Sequence, residues 1–176
     1  MYPPEEHQLR RKLGLAMLEF AQKLKETAGP HGIGDEVLRR VATEKFRRAV
    51  EEAASHKIEA SLSWHTLAVW TEVGKERIGC FSRALECRRA ETADSPPTTP
   101  TEIWLDVHTQ ADCLFEIGRV HFYQGAADAS RRFLTEALPL AQAADALQAA
   151  AVVPDDRLEG RIAELLLQLP EEHENG

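Results

Sequence analysis

The chain has 176 residues, 43% apolar and 28% charged, with 21 Lys+Arg against 29 Asp+Glu and a formal charge of −8. That length fits one compact domain, 1–176, with a genuine core, and the acidic balance argues against a nucleic-acid ligand, which needs Lys and Arg to displace counterions from phosphate. No run approaches the ~18 apolar residues of a membrane span, and the opening MYPPEEHQLRRK has acids and prolines where a signal peptide has a basic start and an apolar stretch.

The charge is uneven. Residues 1–60 carry 11 Lys+Arg against 10 Asp+Glu, whereas 111–176 carry five against 12. The acidic C-terminal third repels anionic lipid and steers basic partners by its long-range field. Cys80, Cys87 and Cys113 form no CxxC, so neither a disulfide framework nor a standard zinc motif is expected, and reduced thiols in a cytoplasmic protein are the simplest reading.

Apolar residues recur at steps of three and four, and no window alternates with period two, so the fold class is all-α with about seven helices. A first helix follows Leu9, Leu13, Met17, Phe20, Ala21 and Leu24 and stops at Ala28-Gly29-Pro30. Asp35 caps a second, with Leu38, Ala42, Phe46, Ala49, Val50 and Ala53 along its buried stripe. It breaks near Ser55-His56, although 35–73 contains no interrupting Gly or Pro and one long helix also fits. A third stripe is Leu62, Trp64, Leu67, Ala68 and Val69, closed by Gly74; a fourth is Ile78, Phe81, Ala84 and Leu85.

Residues 91–101 (ETADSPPTTPT) have the composition of an exposed loop. The chain restarts with Thr99 as a cap, Pro100 at the first helical position and Glu102 completing a capping-box pattern. Helix five runs to Tyr123 and ends at Gly125, and helix six starts near Ala126. Pro139 predicts a kink or a fresh helix. Val153-Pro154-Asp155-Asp156 offers a break and a cap for a last helix on Leu158, Ile162, Leu165, Leu166 and Leu169, and 170–176 is a frayed acidic tail.

Within 112–140, Leu114, Ile117, Gly118, His121, Gly125, Ser130, Leu134 and Ala137 fall without a gap on the eight positions of W-x2-L-G-x2-Y-x3-G-x4-A-x3-F-x2-A, three of them identical. The segment thus resembles a tetratricopeptide repeat, a helix-turn-helix of about 34 residues in which small residues let two helices approach. Trp64, Leu67 and Ala68 are similar to the opening of a second copy, but Phe81 and Ala84 come three residues early. The resemblance implies a short solenoid or bundle of antiparallel hairpins whose first helices line a concave groove for a peptide or partner helix. By position it assigns Asp112, Phe115, Arg119 and Phe122 to that groove on helix five, and Leu62, His65 and Val69 on helix three. Family members that grip a C-terminal carboxylate carry Lys, Asn and Arg there. Of these positions only Arg119 has that character, so the resemblance implies an apolar ligand stripe.

Candidates for chemistry are few. His108, Cys113 and His121 lack the i, i+4 spacing that brings two ligands to one metal, and Cys80 and Cys87 sit roughly 10 Å apart along one helix, too far for a disulfide. Cys113 stands between Asp112 and Glu116, which disfavour a thiolate. Arg39-Arg40 and Arg47-Arg48 interleave with Glu36, Glu44, Glu51 and Glu52 as on a solvated face. No metal, cofactor or catalytic residue is expected. The reading is an adaptor or chaperone-like holder of another protein; the alternatives are a structural homodimer or larger homo-oligomer sealed by the apolar stripes, and a helical enzyme.

Overall fold

A computed structural model describes residues 12, 33–55, 60–71, 74–151 and 157–170. All regular elements among them are α-helices, six in number: α1 Ile33–Ser55, α2 Ala60–Trp70, α3 Lys75–Asp94, α4 Pro100–Tyr123, α5 Ala127–Ala151 and α6 Leu158–Gln168. The all-α class is therefore as the periodicity implies. The helix expected over Leu9–Leu24, its Ala28-Gly29-Pro30 stop, the 153–156 cap and the tail beyond Pro170 lie outside the described residues.

The chain divides into two compact units, Met1–Glu72 and Val73–Gly176. In the first, α1 packs on α2. Phe46, Ala49 and Val50 of α1 are buried at i, i+3 and i+4, as are Ala60, Trp64, Leu67 and Ala68 of α2. Within 35–73 the structure describes α1 and α2, with 56–59 between them outside the described residues. α1 already includes Ile33, so Asp35 lies within the helix instead of at its cap. On the exposed side, Glu44 accepts from Arg48 Nε at 2.9 Å, the i, i+4 pairing of a solvated face.

The second unit is built around α4, which packs on α3, α5 and α6. Its start carries the full capping box: the Thr99 hydroxyl accepts from Glu102 N, and the Glu102 carboxylate accepts from Thr98 N and Thr99 N, each at 3.0 Å. Those bonds hold the Glu102 carboxyl down at about 2, well below its ordinary 4.5. The expected 91–101 loop is shorter than its composition suggests. α3 continues through Asp94, leaving 95–99 between the helices. Its last turns are fixed by buried Asp106 of α4, which accepts from Arg88 Nε at 2.9 Å and from the Thr92 hydroxyl at 2.5 Å.

The α4–α5 turn is a Schellman motif: Ala126 N donates to His121 O at 3.0 Å and Gly125 N to Phe122 O at 3.0 Å, with Gly125 at φ +73°. An L side chain is strained at that angle, so glycine is required here. α5 passes through Pro139 as one helix, with no fresh start. The proline is exposed, so the carbonyl its ring disturbs faces water, where the lost bond is replaced. Ser130, Leu134, Ala137, Ala141 and Ala144 make the buried face of α5, and Leu158 and Ile162 that of α6.

Candidate functional site

The eight motif positions occupy the core and turn of the α4–α5 hairpin. Leu114, Ile117, Gly118, Ser130, Leu134 and Ala137 are all buried. A Cβ added at Gly118 would meet Leu134 Cγ at 2.9 Å and Leu134 Cδ2 at 3.0 Å. One turn along, the Ser130 hydroxyl donates to Gly118 O at 2.9 Å. Small residues at 118 and 130 thus set how closely the two helices approach. His121 is half-buried and stacks on Phe133 with centroids 5.6 Å apart. Burial and, second, the Arg132 charge push its imidazole pKa down.

The four α4 residues expected to line a groove fare differently. Phe115 is only 2% exposed. It is a core residue and presents no ring to a partner: Arg161 of α6 covers it with its guanidinium carbon 4.5 Å from the ring centroid, and Arg119 lies 5.8 Å from the same centroid. The i, i+4, i+7 spacing correctly puts Phe115, Arg119 and Phe122 on one side of α4, but α6 already occupies part of that side. Asp112, Arg119 and Phe122 remain half-buried. Phe122 meets Tyr123 edge-on at 5.5 Å, and Tyr123 is largely exposed.

The feature that sequence reasoning missed sits beside Phe115. Glu116 is buried, with its side chain 9% exposed, and three arginines from three helices surround it. Arg119 Nη2 of α4 donates to Oε2 at 2.6 Å, Arg77 Nη2 of α3 donates to the same oxygen at 3.3 Å, and Arg161 Nη2 of α6 stands 4.0 Å from Oε1. Arg77 also lies over Phe81 at 5.7 Å, and its Nε is buried with no hydrogen-bond partner among the described residues. Glu116 had drawn notice only as a neighbour of Cys113. No local signal links residues 77, 116 and 161, because their meeting is purely tertiary.

On α2, Leu62 and Val69 are 56% and 52% exposed, and His65 is half-buried. Both apolar residues were also expected in the core stripe with Trp64 and Leu67; they lie instead on the opposite, solvent-facing side, seven residues apart. Cys80, Cys87 and Cys113 are not joined in disulfides. Burial, then Asp112 and Glu116, push the Cys113 thiol up to about 12, so it stays protonated at neutral pH. No three His, Cys, Asp or Glu side chains gather as metal ligands among the described residues, and none of their helices is long and apolar enough to cross a membrane.

Compared with known protein families, curated proteins and solved structures, the chain matches none.

Proposed function

We propose that the chain is a tetratricopeptide-like protein-binding module, an adaptor or chaperone-like holder that takes a partner peptide or helix along the Asp112–Arg119–Phe122 side of α4. One observation carries this reading. The residues that place 114–137 on the repeat pattern are those at the α4–α5 seam, with Gly118 against Leu134 and Ser130 bonded to Gly118. Such a seam uses one side of α4 for folding and leaves Asp112, Arg119 and Phe122 half-buried on another. There Arg119 and the Phe122–Tyr123 pair have the Arg and aromatic composition that dominates binding energy at interfaces. The reduced thiols fit work in the cytoplasm.

Affinity capture from the native cell, with mass spectrometry, tests this. The wild-type bait retains a protein that the Arg119→Ala/Phe122→Ala bait loses, while both baits melt alike. Equal capture by both baits would remove the site from α4. A second reading, a structural homo-oligomer, is favoured by exposed Leu62 and Val69. A solution mass of a stable dimer that dissociates on Val69→Glu substitution selects it.

A further inference from the structure

The Glu116 cluster holds more positive charge than its own carboxylate neutralises. Arg77, Arg119 and Arg161 make no ion pair with any acid other than Glu116 among the described residues. Three cations therefore share one anion. Their access to solvent is graded: the side chains of Arg77, Arg119 and Arg161 are 14%, 34% and 44% exposed. Arg77 belongs to the interior, whereas Arg119 and Arg161 reach the surface, both next to the Phe115 ring.

The Arg161 guanidinium makes no hydrogen bond among the described residues, since its 4.0 Å approach to Glu116 is too long for one. Its guanidinium carbon lies 4.5 Å from the Phe115 centroid, a cation–π contact that uses none of its N–H donors. Arg119 spends one Nη2 donor on Glu116 and is held in place by it. The result is two partly exposed guanidiniums with spare donors beside one ring. From this arrangement we infer that Arg119 and Arg161 form an acceptor site for side-chain carboxylates of an acidic segment in the partner. The inference rests on the reading of α4 as a binding face and specifies the chemistry of what binds there.

Guanidinium forks match carboxylates in two-point geometry, and a second carboxylate relieves the mutual repulsion of three cations around one anion. The chain's overall charge of −8 works against an acidic partner, but at physiological salt the screening length is about 8 Å. Charges in direct contact then outweigh the distant acids of the C-terminal third. The site draws Arg161 from a helix outside the repeat-like hairpin.

The test titrates the full chain with fluorescein-labelled, C-terminally amidated hexaglutamate at physiological salt. Saturable binding is expected, weakened at least tenfold by Arg161→Gln and by Arg119→Gln at an unchanged melting midpoint, and weakened less by Arg161→Lys. Acetylated hexaalanine with a free C-terminus and inorganic sulfate serve as competitors; if either displaces hexaglutamate at equal concentration, the site is a generic anion or terminal-carboxylate site and the inference fails. Should the variants unfold, Nε–H resonances of the wild-type chain decide: those of Arg119 and Arg161 shift on titration, and a titration that leaves both unmoved overturns the inference. Absence of hexaglutamate binding also overturns it. The two proposals fail separately, because a captured partner that still depends on Arg119 preserves the binding face without its acidic ligand.

Discussion

Helix α4 is packed toward α5 and toward α3, and the two seams are built from different chemistry. Toward α5 the decisive groups are small and apolar: Gly118 sits against Leu134, and Ser130 ties back to the Gly118 carbonyl. Toward α3 they are buried carboxylates, Asp106 holding Arg88 and Thr92, and Glu116 holding Arg77. An apolar seam tolerates loss of a contact by partial collapse, but a buried ion pair that loses one partner leaves an uncompensated charge. The α3 seam should therefore be the more brittle one.

The largest expected effect follows directly. Glu116→Ala strands Arg77 beneath the surface and should cost about 3–5 kcal/mol of unfolding free energy, measured by chemical denaturation. A loss under 1 kcal/mol would mean that water solvates Arg77 and that the two seams are energetically alike.

Next in size, Gly118→Leu should destabilise by about 1–3 kcal/mol, because the added carbons enter a seam where even a Cβ meets Leu134 at 2.9 Å. Replacing glycine inside a helix returns up to about 1 kcal/mol of propensity, so overpacking wins only if the seam is closed. A raised melting midpoint would show it open.

These seams also explain what the sequence discloses and what it withholds. Gly118, Ser130, Leu134 and Ala137 stand at fixed steps in one segment, so their packing can be read from spacing alone. Thr99, Pro100 and Glu102 are likewise a local motif, and the capping box forms as expected. The loop expected from Glu91 differs from the structure at 91–94, where composition looks loop-like. Arg88 and Thr92 reach Asp106, a tertiary bond that spacing does not show, and the helix runs to Asp94. Phe115 was placed on an exposed face for a similar reason, since the helix covering it begins at Leu158. The Glu116 cluster joins residues 77, 116, 119 and 161, and only the 116–119 pair is local.

Smaller effects sharpen the picture at the α3–α4 junction. Thr99→Ala removes the acceptor for Glu102 N and should cost about 1 kcal/mol, read as a lower denaturation midpoint. The Glu102 carboxyl titrates at about 2 in the folded chain against an ordinary 4.5, so its stabilisation is full above pH 4.5 and is lost as pH falls through 2. Glu102→Gln should flatten the pH dependence of the melting midpoint across that window, and an unchanged slope would show that Thr98 and Thr99 do not hold the carboxylate. Smallest of all is a matter of position: limited proteolysis should nick 95–99 before any site in 100–123, since 95–99 lies between α3 and α4 and is mostly exposed.

The most direct test of the division of α4 into a folding side and a binding side is the affinity of Arg119→Ala for the captured partner, measured on protein whose melting midpoint matches wild type. Arg119 touches Glu116 and the Phe115 ring but takes no part in the α5 seam. The account predicts at least a fivefold loss of affinity, and wild-type affinity in that variant would contradict it.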